Sequence, residues 1–214
     1  MEQGQPSRTA FAAATHRAAH QLLEGGRVFA DPLALRILGE DQETVRRKAE
    51  EDPLSRRMRL FIAMRSRFAE DALAAAVERG ALQLVVLGAG LDTYAYRSPF
   101  GERLRMDHPA TQVWKRHRLN EASIPIPSWQ TFVPIDFERD TLSEGLTAAG
   151  FDPTQRTFFT WLGVVPYLTK EAIGRRLASS RRCRTAPKSY STTAILPIRY
   201  HRNRGHRMTC ARFA

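Results

Sequence analysis

Residues 82–97, LQLVVLGAGLDTYAYR, set the architecture. Leu84, Val85, Val86 and Leu87 form an unbroken apolar run that breaks directly into Gly88-Ala89-Gly90. A short run that is apolar on both alternating faces reads as a strand buried on both sides, as in a parallel sheet. Glycines at its end let backbone amides approach a ligand more closely than a side chain permits. The third glycine of a dinucleotide fingerprint would fall at position 93, which is Thr93. Docking of a pyrophosphate on a helix N-terminus is therefore poorly supported, and the turn points away from NAD.

Working outward, RLRMD (103–107), TFVPID (131–136) and TFFTWLG (157–163) are the further expected strands. Between them lie the helical stretches PATQVWKRHRLNEA and LSEGLTAAG. Strands alternating with helices at this spacing predict an α/β fold, a parallel sheet with helices on both faces in the order βαβαβαβ. Upstream, Thr9 to Leu38 reads as helices, with Asp31-Pro32 as N-cap and first helical residue before ALRIL, and a second helix runs through RRMRLFIAMRSRFAEDALAAAVERG to a cap at Gly80. The last expected helix is LTKEAIGRRLASS, N-capped by Thr169. This divides the chain into a helical N-terminal segment (1–80), a ligand-binding core (81–180) and a tail (181–214).

The 214 residues are 43% hydrophobic and 26% charged, ordinary for a globular protein. No basic patch followed by an apolar run opens the chain and no stretch approaches a membrane span, so a cytoplasmic protein is expected, with no membrane partner. The net charge of +11 would suggest a nucleic-acid partner if it were spread evenly, but residues 181–214 hold eight Arg and one Lys with no Asp or Glu. The body is nearly neutral, so nucleic acid is not its expected partner. Both cysteines, Cys183 and Cys210, also lie in the tail, so neither a disulfide framework nor a cysteine zinc site follows. No His, Asp and Glu cluster has metal-ligand spacing, and no metal is expected.

Asp107 ends its strand about 20 residues beyond the first glycine, where doubly wound folds place an acid on ribose hydroxyls. Asp136 ends the next strand at the same sheet edge. One such acid is ordinarily a helix cap; two after a glycine turn suit a nucleoside, Asp107 accepting from the ribose and Asp136 from an adenine amino group.

GAGLDTYAYR (88–97), MDHPATQVWKRHRL (106–119) and FTWLGVVPYLTKEAI (159–173) resemble the motifs of bacterial S-adenosylmethionine (SAM)-dependent methyltransferases related to leucine carboxyl methyltransferase, as do FADPLALRIL (29–38) and RSRFAEDAL (65–73). The resemblance covers roughly residues 9–178 and implies a Rossmann-like class I fold with SAM as cofactor. It implies that Gly88, Gly90 and Asp92 line the methionine end of SAM, that Asp107 holds the ribose, and that Asp136 with Phe137 frames the adenine. Arg65 would grip the cofactor carboxylate through a bidentate guanidinium. A solvated helix face beside Arg67, Glu70 and Asp71 is its alternative, as a helix N-cap is for Asp92. Tyr94, Tyr96 and Tyr167 are expected in the substrate pocket, although the family often carries another residue at position 94, and Tyr167 could instead pack on the next helix. Trp161-Leu162-Gly163 replaces an acid-containing version of that strand end, so no carboxylate is assigned there to the cofactor amino group.

The reaction implied is displacement of the sulfonium methyl by an oxygen of a small-molecule acceptor, giving a methyl ester or ether. No catalytic residue is assigned: His108 and His117 stand near the site, but a lone His is more often structural than a base. Class I enzymes have seven strands, whereas four are legible before Ser180. The acid-free, Arg-rich tail reads as a frameshifted continuation that adds no sheet strand, stays poorly packed or disordered, and can be removed with little effect on stability. Pro197, within its one apolar pentad, would confine any strand there to an edge. The competing readings are an inactive remnant of such an enzyme, nucleic-acid binding through the tail, and a nicotinamide oxidoreductase, against which Thr93 counts. Neither the acceptor nor the oligomeric state is legible in the sequence.

Overall fold

The computed structural model describes residues 8–51, 55–100, 105–108, 112–133, 142–163, Glu171, Gly174 and 192–194. Helices α1 (Arg8–Glu24), α2 (Ala34–Leu38), α3 (Gln42–Glu51) and α4 (Ser55–Glu78) precede strand β1 (Gln83–Leu87). A 3-10 turn (Tyr94–Tyr96), β2 (Arg105–His108), α5 (Gln112–Glu121), β3 (Gln130–Phe132), α6 (Leu142–Ala148), β4 (Thr157–Trp161) and β5 (Thr192–Ala194) follow.

The strands form one sheet in the order β3-β2-β1-β4-β5, with each neighbouring pair parallel. β1 is buried at all five positions because both of its faces are covered. Leu84 and Val86 pack with Leu73 and Ala76 of α4 and Phe158 of β4, whereas Val85 and Leu87 pack with Leu142 and Leu146 of α6 and with Phe159 and Trp161. The two-residue alternation of a strand thus splits one apolar run between two helix layers. A third cluster joins α1, α2, α3 and α5 through Ala14, Ala18, Ile37, Val45 and Leu119, and it includes Leu91 from the turn after β1.

Local departures from the expected elements have physical causes. Asp31 and Pro32 lie before α2 rather than opening it: Asp31 Oδ1 accepts from Leu33 N at 3.2 Å and the helix begins at Ala34. The expected helix after the glycine turn is only a single 3-10 turn, closed off by Ser98-Pro99, since the residue before a proline is pushed out of helical geometry. α3 is an addition to the expected elements, because its sequence is almost wholly polar and buries only Val45 and Ala49. Of the expected final helix, Glu171 and Gly174 are helical and the rest lies outside the described residues.

The expectation that residues 181–214 add no strand is overturned at Thr192–Ala194. Phe158, Phe159 and Thr160 of β4 pair in register with Thr192, Thr193 and Ala194. The tail's charge does not oppose this, because the three paired residues are uncharged and the ladder needs only backbone groups. β5 lies at the sheet edge, and Pro197 falls beyond its last paired residue. Among the described residues no helix is long and apolar enough to cross a membrane.

Truncation after Ser180 removes β5 and exposes the edge of β4, whose Phe158–Thr160 segment is buried. The truncated chain is expected to melt at a lower temperature and to aggregate in light scattering. An unchanged midpoint with a monodisperse sample would show that β5 contributes nothing.

Candidate functional site

All strands point the same way, so their C-terminal ends share one edge, and chain order reverses there between β1 and β4. Crevices at such a switch point are where parallel sheets bind ligands. Leu87 pairs with Trp161, so Gly88 and Gly163 follow within two residues of the paired ends of β1 and β4. Asp107 lies on β2, in register with Val85.

The turn after β1 needs its glycines. Gly88 and Gly90 take φ of 67° and 49°, the left-handed region, and a Cβ on Gly90 would stand 2.7 Å from Ala10 Cβ at the start of α1. Arg65 reaches the same edge from α4. It is buried, and a Cβ on Gly163 would stand 2.6 Å from its Nη1. The solvated-face alternative describes its neighbours instead, since the Arg67–Asp71 pair is about 60% exposed on each side. Asp92 uses Oδ1 to accept from Tyr94 N at 2.9 Å, so one carboxylate oxygen caps the 3-10 turn. Asp136, Phe137 and Tyr167 lie outside the described residues.

Beneath the turn is a buried polar network that the sequence did not disclose. Asp31 has no solvent exposure. Its Oδ2 accepts from Arg17 Nε at 3.0 Å and from the Thr93 hydroxyl at 2.8 Å. Arg17 Nη2 in turn donates to Leu91 O at 2.6 Å. Arg97 lies 3.6 Å from Asp31 Oδ1, donates to Thr93 Oγ1 at 3.2 Å and forks onto both oxygens of Glu70. One carboxylate from the residues before α2 thereby ties α1, the glycine turn and, through Arg97, α4 together.

Lys115 is the other unforeseen member. It projects from α5, is 2% exposed, and donates from Nζ to Asp92 O at 2.7 Å, 5.6 Å from the Tyr96 ring centre. Burial pulls the pKa of its ammonium down to about 7, opposed by the nearby Asp92 charge and assisted by Arg17.

The two described tyrosines sit in different surroundings. Tyr96 accepts a hydrogen bond from Gln130 Nε2 at 3.1 Å, and burial pushes its hydroxyl above the usual phenol range. Tyr94 lines a cleft of about 370 Å³ with Phe29, Phe100 and Glu70, which none of Arg65, Gly88, Gly90 or Asp92 reaches. Burial raises the Tyr94 hydroxyl as well, so neither phenol is a base at neutral pH. His117 is on the surface, 3.2 Å from Glu121 Oε1.

Comparison with known proteins identifies the family. Residues 10–180 match the family model for leucine carboxyl methyltransferase. The chain belongs to that family. The Bacillus subtilis relative named "Putative S-adenosyl-L-methionine-dependent methyltransferase YktD" is 41% identical over 111 residues, covering 50% of this chain and 36% of its own length. A relative in Saccharopolyspora erythraea named "Putative S-adenosyl-L-methionine-dependent methyltransferase" is 32% identical over 177 residues, 80% of this chain and 61% of its own. One from Parafrankia, Franean1_4929, is 35% identical over 139 residues, 64% of this chain and 44% of its own. This member of the family thus matches between about a third and three fifths of each of these relatives.

The buried charges lead to two predictions. Asp31→Ala leaves Arg17, Thr93 and Arg97 without their common acceptor and is expected to cost about 3 to 5 kcal/mol in urea unfolding, as broken buried ion pairs do. A loss under about 1 kcal/mol would show that the network contributes little. For Lys115, the folded chain holds fewer protons than the unfolded chain between pH 7 and the ordinary lysine range, so its contribution to stability rises with pH across that window. Below that window the protonated, buried group costs on the order of 5 kcal/mol. Measured against Lys115→Met, the wild-type unfolding free energy should climb between pH 7 and 9; a difference flat with pH would refute this.

Proposed function

We propose that this chain binds SAM at the C-terminal edge of its sheet and belongs to an enzyme that transfers the methyl group to an oxygen of a small-molecule acceptor. The observation that carries this reading is the meeting of Arg65, Gly88, Gly90 and Gly163 at one switch point of a parallel sheet. The strand order supports a Rossmann-like class I fold whose further strands would continue beyond β5. The names of the relatives support the cofactor.

The residues present suit it. A Cβ at position 90 or 163 would intrude on Ala10 or Arg65, so the glycines let α1 and the Arg65 guanidinium come directly against the backbone at this edge. Arg65 would bind the cofactor carboxylate, the backbone of 88–90 and Asp92 its methionine end, and Asp107 its ribose, with Asp136 and Phe137 completing the adenine side. The helical segment up to residue 80 acts as the cover over a core of 81–180. SAM supplies a methyl group already activated as a sulfonium. The chain's own part is to align the acceptor oxygen and exclude water, which for well-oriented groups can reach roughly 7 to 11 kcal/mol. A carboxylate acceptor arrives ionised and needs no general base. That matches a site in which the described tyrosines are protonated and His117 faces solvent.

Calorimetry should detect binding of S-adenosylhomocysteine by the full chain. Asp107→Ala should weaken it by about 1 to 3 kcal/mol, because buried hydroxyls lose a charged acceptor, and Asp107→Asn should be milder. Binding of NADH without any binding of SAM would overturn the reading, and unchanged affinity in both variants would reduce Asp107 to a structural residue.

A further inference from the structure

Two buried cations from different elements hold successive carbonyls of the turn after β1: Arg17 of α1 takes Leu91 O at 2.6 Å and Lys115 of α5 takes Asp92 O at 2.7 Å. Their circumstances differ. Arg17 also pairs with the Asp31 carboxylate, so its charge is compensated where it is buried. Lys115 is as deeply buried, yet among the described residues Asp92 O is its one hydrogen-bond acceptor, and no carboxylate lies within ion-pair distance. A desolvated ammonium on a neutral carbonyl is a costly way to anchor a loop, and an apolar side chain of similar length would fill the same space without that cost. Its effect on the turn is directional. Because the two ends of a peptide unit point opposite ways, fixing Asp92 O on Lys115 turns the Thr93 N–H away from α5 and sets the orientation of residue 92. The Asp92 carboxylate is then held through Oδ1 on Tyr94 N, while Oδ2 takes no hydrogen bond among the described residues.

We propose that Lys115 is a positioning residue of the cofactor site: by anchoring the Asp92 carbonyl, it aims the second oxygen of the Asp92 carboxylate, Oδ2, at the cationic amino group of the bound cofactor's methionine end. This rests on the SAM reading above. A purely structural lysine would raise the stability of the fold. A positioning lysine gives up stability to fix a ligand's partner, so removing it should separate the two properties.

The test is S-adenosylhomocysteine calorimetry at pH 6.5 on the full chain and on Lys115→Met and Lys115→Gln, with thermal melting of each. Lys115→Met is expected to bind about tenfold more weakly, the equivalent of one lost hydrogen bond, while melting no lower than wild type. Lys115→Gln, which keeps a shorter donor, should recover part of the affinity. Equal affinity in wild type and Lys115→Met would overturn the inference and leave the SAM reading standing. A Lys115→Met chain that melts lower or does not fold, with no recovery of affinity in Lys115→Gln, would make the lysine structural and also overturn it. Absence of binding by the wild-type chain would remove the SAM reading, and this inference with it.

Discussion

The Asp31 carboxylate is the constraint on which the arrangement of this molecule rests. It is cut off from water, and its two oxygens are shared among a guanidinium from α1, the hydroxyl of Thr93, the backbone N–H of Leu33 and the nearby Arg97. An ionised carboxylate survives such burial only when its acceptor sites are filled and opposite charge is close. The donors come from α1, from the residues before α2 and from the turn after β1, so satisfying the acid and assembling the site are the same event. The bidentate pair of Arg59 with Glu24 repeats the device between α4 and α1, at the far end of α1 from Ala10.

The edge of the sheet is crowded from two sides. Ala10 of α1 approaches Gly90, and Arg65 of α4 approaches Gly163, in both cases to a distance that any side chain on the glycine would close. The two longest helices therefore bracket the crevice, one over the end of β1 and the other over the end of β4. The Arg65 guanidinium, on a buried position of α4, is thereby held against a stretch of backbone that carries no side chain.

Much of this was legible in the residues alone. Leu84–Leu87 with Gly88 and Gly90 had only one reasonable structural meaning, and the Ala-rich α1 and the long α4 followed from periodicity. The burial of Arg65 was half legible: it falls three residues after Ile62 and four before Ala69 on the buried stripe of α4, but its charged neighbours suit a solvated face equally well. Lys115 and Asp31 were not legible. Whether a charge on a helix or in a turn is desolvated depends on partners many residues away, and neither local spacing nor charge pattern records them. β5 escaped for another reason: a three-residue edge strand joined to its neighbour through backbone groups needs no apolar alternation, so the Arg-rich tail concealed it.

The 62 residues separating Asp31 from Thr93 have a consequence for how the chain is made. At synthesis rates of about 5 to 20 residues per second, several seconds pass between the emergence of the acid and that of its hydroxyl partner, and longer before the strands that β1 needs are available. Throughout that interval Arg17 of α1 and Asp31 before α2 lack the turn they will enclose, and the alanine-lined face of α1 lacks the cluster that Leu91 and Leu119 complete. The four helices before β1 are thus translated ahead of the strands but settle only after them, and until then they depend on not meeting another chain.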